Sequence, residues 1–430
     1  MDSGTIALIG IIVLFLLMFL KMPISFAIFI VGFVGIYLLL PPNAAFNLLS
    51  ANIWTEFSSY SLSVVPFYVL MGEIVFRSGI SKNIFEAAYR WIGHFRGGML
   101  ITTILASAGF SSICGSNSAT AATMGTIALP ELKKMKYNEA LSTGTVATGG
   151  TLGIIIPPST VLILLALLTQ QSIGDLFVAS VLPGILLVSL MIAVIVFMCW
   201  RKPELGPPAP RFSMKERFEA TIGIVPIFAL FAFVIGGLYL GLFTPTESGA
   251  FGAFGAIVIT LLMRKLSWGA FKSAITATLK TSAMIMMLVV GAVLFGRFLT
   301  TARLSFIISD FINSLAVPAI VILMIILLIY VIGGALMDAL GFLMVSIPVF
   351  YPIIQQLGYD PVWFCVLICV LTSMGAITPP IGLNVFVVKG LDPKYDIVTI
   401  FKGASYYLVA FLIFIVLYIM FPSIALVLVS

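Results

Sequence analysis

The sequence predicts an all-α polytopic membrane protein folded as two inverted repeats, and three observations predict it. Of 430 residues, 61% are hydrophobic and 9% charged, with a mean hydropathy of +1.21, far above the roughly 45–50% apolar content of soluble domains. Lysine and arginine are placed so that two long interrupted apolar runs each begin and end on one side of the membrane. Two further runs are broken by consecutive prolines, in "GIIIPP" (153–158) and "GAITPP" (375–380), 222 residues apart.

At about 20 residues per helical crossing, the chain allows at most about twelve to fourteen spans and leaves little for a soluble domain. The opening "MDSGTIALIGIIVLFLLMFLKMP" lacks a basic leader and a small-residue cleavage site, so it reads as a retained first helix. Simple apolar runs follow at 5–20, 22–40, 58–76, 176–200, 218–240, 247–263, 281–300 and 403–427, and interrupted ones at 98–132, 139–170, 318–357 and 361–388. Segments 82–92 and 267–280 are amphipathic, with Trp91 and Trp268 among basic residues, and are expected to lie along the membrane interface. "RKPELGPPAPRFSMKERFE" (201–219), rich in proline and charge, reads as the linker between two similar halves.

The basic residues set the orientation. Arg77, Lys82, Arg90 and Arg96 precede the 98–132 run and Lys133, Lys134 and Lys136 follow it, so under the positive-inside rule both its ends are cytoplasmic. It is therefore a re-entrant hairpin. Between Arg303 and Lys389 there is no Lys or Arg, so the 318–357 run is a second hairpin that enters from outside. With the other runs as single crossings, both termini lie outside, the linker inside, and only Arg297 and Arg303 of the 22 basic residues fall near the outer side.

A shift of 222 residues places Pro130 on Pro352, Tyr137 on Tyr359, Gly153 on Gly375, Ile155 on Ile377, Pro157 on Pro379 and Pro158 on Pro380. The matches fall largely on residues that dictate backbone shape, and the opposite entry of the hairpins makes the halves inverted copies. Inverted repeats with broken helices at corresponding positions are the architecture of secondary transporters. Proline removes a donor and frees carbonyls, and non-helical backbone at membrane depth is tolerated only where it is buried in protein or lines a wet cavity. Half-helix C-termini and exposed carbonyls suit Na⁺, half-helix N-termini an anion.

Two Na⁺ sites follow as an expectation, one per repeat, each between a hairpin tip and a broken helix. The first draws on Ser112, Gly115, Ser116 and Asn117 with Gly149, Gly153 and Pro157; the second on Gly334 and Asp338 with Thr372, Gly375, Thr378 and Pro379. Asp338 aligns with Ser116, and a carboxylate at bilayer depth costs about 2.5–3.5 kcal/mol, which marks it as functional unless it serves only to cap a half-helix.

Other residues carry blander readings. Cys114, Cys199, Cys365 and Cys369 have no metal spacing and read as packing. Glu73 and Arg297 read as side chains snorkelling to the interface, and Glu247 as favouring a helix N-terminus. His94 is the one histidine and lies in a basic interfacial segment, which removes bis-histidine haem and His-based metal clusters. An intramembrane aspartyl protease would need a second aspartate at depth beside Asp338. A passive channel fits the inverted pair of ion sites less well than alternating access does.

The stretches "GSNSATAATMGTIALPELKK", "GGTLGIIIPPS", "GLFTPTESGA", "MDALGFLMVSIPVFYPI" and "GAITPPIGLNVF" together resemble the large membrane subunit of tripartite ATP-independent periplasmic (TRAP) transporters, over essentially the whole chain. The resemblance implies an elevator-type secondary transporter of the bacterial inner membrane that imports carboxylates such as sialic acid or C4-dicarboxylates with Na⁺. Two or more Na⁺ are expected as coupling ions and no organic cofactor. The implied partners are a small four-helix membrane subunit, here a separate chain, and a periplasmic substrate-binding protein. The domain division that follows has scaffold helices at 1–81, 218–265 and, with a connection, 281–317. Interfacial helices lie at 82–96 and 266–280, transport-domain repeats at 97–200 and 318–430, and the linker at 201–217. The carboxylate is expected beside Ser116, Asn117, Ser118, Thr120, Ser159, Asp338, Pro380 and Asn384. A divalent-anion/Na⁺ symporter working without a binding protein shares the two-hairpin logic and is the rival reading.

Overall fold

Apolar helices dominate because a backbone in hydrocarbon must satisfy its own hydrogen bonds. The computed structural model describes residues 2–304, 306–308, 310 and 317–429; part of the expected 281–317 connection lies outside the described residues. Among the described residues, seven helices are long and apolar enough to cross a membrane, or up to eight if one bent pair is a single span.

The first helices are α1 (Ser3–Phe19), α2 (Ile24–Leu39), α3 (Pro42–Phe57), α4 (Val64–Arg77) and α5 (Ile80–Ile92). Helix α3 occupies a stretch the apolar runs leave blank. Pro42 sits in its first turn, where a missing N–H costs nothing, while Asn43, Asn47, Asn52 and Glu56 keep its hydropathy low. Next come α6 (Gly98–Cys114) and α7 (Asn117–Lys134), the first hairpin, then the broken pair α8 (Glu139–Gly150) and α9 (Thr160–Thr169), then α10 (Ile173–Arg201).

The linker departs from expectation in two ways. It is bonded to both ends of the first hairpin: Gly97 N donates to Gly206 O (2.9 Å), Ala209 N to Gly93 O (3.0 Å) and the Tyr137 hydroxyl to Pro207 O (2.7 Å). Its last residues already belong to α11 (Met214–Ile222), opened by a Ser213/Glu216 capping box. Helix α11 bends by 51° into α12 (Val225–Tyr239), so the 218–240 run is two helices, divided where Pro226 withholds its amide.

Helix α13 (Pro245–Leu262) precedes α14 (Trp268–Thr301). The separate interfacial helix expected at 266–280 is absent as such, because α14 runs unbroken for 34 residues. No Gly or Pro lies between Ala270 and Val290 to interrupt it, and Ser267 caps its start. The second half continues with α15 (Ala319–Leu336) and α16 (Ala339–Gln356), the second hairpin, then the broken pair α17 (Pro361–Gly375) and α18 (Leu383–Leu391), and α19 (Ile397–Met420).

Packing gathers these helices into two sets. Helix α14 lies against α2 and α4, with α13 and α12 beyond α4; the hairpins, broken helices, α10 and α19 form the other set. Helices α8 and α19 touch through backbone: a methyl group on Gly403 would overlap the Ala140 carbonyl, and Gly144 faces Gly403. Such small-residue contacts let membrane helices gain dispersion where lipid offers no hydrophobic drive. Trp363 on α17 and Tyr418 on α19 bond reciprocally, Trp363 Nε1 to Tyr418 O (3.2 Å) and the Tyr418 hydroxyl to Trp363 O (3.0 Å).

Candidate functional site

Each hairpin tip is seated on a break in the following helix pair. Helix α8 has 12 residues and α9 has 10, about 18 and 15 Å at 1.5 Å per residue, so their break lies near the middle of a ~30 Å hydrocarbon layer. Between them come a 3₁₀ turn at Thr151–Ile154 and then Pro157 and Pro158, which have no amide to continue the ladder. The first tip is pinned here, which makes α6–α7 re-entrant.

Gly115 turns the first tip with a φ of +63°, a conformation that suits glycine. Its carbonyl accepts from the Thr160 hydroxyl (3.2 Å). Asn117 Oδ1 accepts from Ile154 N in the break (3.1 Å), and its Nδ2 donates to Ser373 Oγ (3.4 Å) in the other repeat. Gly153 packs against the main chain of Ser116 and Asn117 so closely that a Cβ there would come within 2.6 Å of Asn117 N.

At the second tip, Asp338 caps α16, with Oδ2 accepting from Leu340 N (3.1 Å). Its repeat mate Ser116 caps α7, accepting from Ala119 N (3.5 Å). The break after α17 spans residues 376–382, where Gly382 N donates to Ala335 O (3.1 Å). Cβ atoms at Gly375 and Gly334 would lie 2.5 Å from the Ala335 amide and the Thr372 carbonyl respectively. The repeats thus differ in register: Gly153 meets residues at and after its turn, whereas Gly375 meets the tip up to one helical turn earlier. They differ in exposure too, since Pro157, Pro158 and Ser159 are buried while Asp338, Pro379 and Pro380 are exposed.

Asn384, fully buried on α18, donates from Nδ2 to Ala147 O of α8 (3.0 Å). With Asn117–Ser373 this gives two side-chain bonds tying the repeats together at the breaks. The structure therefore assembles Gly115, Ser116, Asn117, Gly153, Gly334, Thr372, Gly375 and Asn384 around the two breaks.

Several expected side chains are engaged locally. Ser112 donates to Gly109 O (2.8 Å), Thr120 Oγ1 accepts from Ser111 (3.5 Å), and the hydroxyls of Thr372 and Thr378 donate to carbonyls one turn back. Gly149 faces Ser107 of α6 and not the tip, and Ser118 is half-buried on α7. Pro157 lies within the buried break, and the Asp338 carboxylate is occupied in capping. Sequence reasoning missed Ser373, Ile154, Ala147 and Gly382. The glycine of "PPIGLN", with its φ of +64°, carried a signal for the last; the others are contacts between repeats that no local pattern marks.

The chemistry on offer is uncharged oxygen. Among the described residues, no three His, Cys, Asp or Glu converge. Ser107 Oγ, Thr148 Oγ1, Ser159 Oγ and Asn384 Oδ1 are buried without a hydrogen-bond partner. Buried polar atoms are expected to be satisfied, and hydroxyl, amide and carbonyl dipoles around unwound helix suit a monovalent hard cation. Arg297 lines a cleft of about 730 Å³ with Glu56, Gln170, Gln171 and Tyr351, between α3 and α14 on one side and α9 and α16 on the other. Glu73 pairs with Arg77 (3.0 Å), and Glu247 closes a capping box with Thr244.

Comparison with known proteins gives these features a setting. The family profile of the tripartite ATP-independent periplasmic transporter, DctM component, matches residues 11–424. The chain is 31% identical over 390 residues to the C4-dicarboxylate TRAP transporter large permease protein DctM of Pseudomonas aeruginosa, covering 90% of each chain. It is 28% identical over 414 residues to the sialic acid TRAP transporter large permease protein SiaM of Vibrio cholerae, covering 96% of each. The crystal structure of the YdaH transporter of Alcanivorax borkumensis matches with a TM-score of 0.61 at 16% identity, over 89% of this chain and 90% of that one, a likeness of fold alone. By the profile and the identity to large permeases, the chain belongs to the DctM-component family of tripartite ATP-independent periplasmic transporters.

Proposed function

We propose that this permease imports an organic carboxylate, of the sialic acid or C4-dicarboxylate type, with Na⁺ as coupling ion. The observation that carries the reading is the seating of two hairpin tips on two helix breaks amid buried, unpartnered oxygens. Na⁺ is cargo here: it would take main-chain carbonyls around Gly115, Gly153, Gly334 and Gly375 with the oxygens of Asn117, Thr372 and Asn384. The carboxylate would sit by the starts of α7, α9 and α18, where free amides favour an anion, α9 and α18 carrying no side-chain cap. That region includes Ser118, Thr120, Ser159, Thr378, Pro379, Pro380 and Asp338, the last four at or beside the exposed break.

The hairpins, broken helices, α10 and α19 would move together as the transport domain against the set built on α2, α4, α13 and α14. The cleft lined by Arg297 lies between them. In this reading the protein sits in the bacterial inner membrane with both termini periplasmic and the linker cytoplasmic. A small membrane subunit and a periplasmic binding protein complete the system, as the tripartite family description supports.

Reconstitution tests this. Proteoliposomes holding the permease and the small subunit, given binding protein and labelled carboxylate, should take up substrate only with an inward Na⁺ gradient, and should show counterflow. Uptake that ignores Na⁺ would overturn the coupling. Full uptake without binding protein would favour the binding-protein-independent divalent-anion/Na⁺ symporter.

A further inference from the structure

We propose a second binding site, for the phosphate of an anionic phospholipid headgroup, between the end of α10 and the second turn of α19. There Arg201, Lys202 and Lys402 line one cavity of about 370 Å³ together with Asn138, Phe197 and Tyr406, and no acidic residue lines it. The ion pairs found among the described residues, Glu73–Arg77 and Glu86–Arg90, lie elsewhere. Three exposed cations thus share one cavity, and none of them is in an ion pair found among the described residues. Interfacial lysines usually snorkel apart into water; these share a cavity, and the Arg201 guanidinium is held 5.1 Å over the Phe197 ring.

The depth fits a headgroup. Helix α10 has 29 residues, about 43 Å, which exceeds the ~30 Å hydrocarbon core and puts its last turn at headgroup level. Trp200, 73% exposed, precedes Arg201 on α10 and Tyr406 lines the cavity, as aromatic side chains do at the membrane boundary. One turn below the cations, Val196 and Phe197 are half exposed and offer acyl chains an apolar surface. Basic pockets between transmembrane helices take anionic headgroups. A free phosphate ion would meet the same cations but would leave that apolar surface unused.

The site does not depend on which solute is carried. Its test uses the full chain in uncharged detergent, with retained lipid counted by native mass spectrometry. Dioleoyl phosphatidylglycerol, dioleoyl phosphatidylcholine and inorganic phosphate form separate arms. Wild type should retain phosphatidylglycerol over phosphatidylcholine. Arg201→Gln with Lys402→Gln should weaken phosphatidylglycerol retention about 30-fold, or about 2 kcal/mol at 1.4 kcal/mol per tenfold. Lys134→Gln, an exposed charge outside the cavity, should retain it as wild type does. Equal retention by the double variant overturns the site, and so does inorganic phosphate that displaces the lipid's effect at equal concentration. If the double variant is not recovered folded, photoreactive phosphatidylglycerol on wild type decides. Adducts on the 197–202 or 402–406 peptides support the site, and adducts only elsewhere overturn it.

Discussion

Replacing Gly153 with alanine tests the contact on which the first site rests. The new methyl would overlap the Ser116 carbonyl and approach Asn117 N to 2.6 Å. Both are main-chain atoms at the start of α7, so relief requires the whole tip to shift. Overpacking of this kind costs about 1–3 kcal/mol. The shift also withdraws Asn117 Oδ1 from the Ile154 amide, and a buried donor left unpaired costs about 1–3 kcal/mol more. The variant should therefore lose about 2–6 kcal/mol against SDS or heat in detergent and lose most Na⁺-driven uptake. Gly375→Ala, with main-chain atoms at 2.5 Å, should behave alike in the second repeat. Gly236→Ala in α12, where nothing lies within 4 Å, is the control and should be neutral or gain up to about 1 kcal/mol. A Gly153→Ala protein that unfolds and transports like wild type would refute the reasoning, because the tip would not then be held by the break.

Other outcomes are expected. Asn117→Ala should cost about 1–3 kcal/mol through the stranded Ile154 amide and should raise the Na⁺ concentration for half-maximal uptake; an unchanged Na⁺ dependence would remove Asn117 from the ion site. Asp338→Asn keeps the cap and removes the charge, so it should fold as wild type does, while Asp338→Ala should lose about 0.5–2 kcal/mol; normal uptake by Asp338→Asn would confine the residue to capping. If more than one Na⁺ accompanies a monovalent anion, an inside-negative potential should stimulate proteoliposome uptake, with about 2.3 kcal/mol gained per charge per 100 mV, and an electroneutral cycle would count against two ions. Burial, with Arg217 and Arg211 nearby, holds the His94 imidazole below its usual pKa. The unfolded chain therefore binds a proton that the folded chain resists, so stability should fall as pH drops through about 6.5 and should level off once pH is below the folded value. His94→Gln should flatten that part of a pH–stability curve.

How much of this was legible beforehand divides along the range of the interactions. The double prolines at 157–158 and 379–380 mark helix breaks wherever they stand, because a missing amide is a property of the residue itself. The hairpins expected at 98–132 and 318–357 follow from apolar length and charge placement and lie at 98–134 and 319–356 in the structure; the Ser116–Asp338 correspondence follows from the 222-residue offset, which the structure shows as a shared N-cap. Helix α3 escaped because its asparagines lower the hydropathy that the runs rely on. The break expected near 281 was inferred from amphipathicity, which changes along α14 without any residue that can interrupt its backbone.

The sequence by itself determined that the chain is helical and membrane-embedded, repeats in two halves, and breaks its helices at two places. Those properties reside in single residues and short periodic patterns. Only the tertiary structure decided which oxygens face the breaks. An asparagine in an apolar run needs a partner but does not name one, and Asn117 found Ile154 and Ser373, residues 37 and 256 positions away. The register of each tip, with Gly153 meeting residues at and after the turn and Gly375 residues before it, was also beyond the sequence. It is set by which backbones can approach without a Cβ between them, a condition of packed helices in three dimensions.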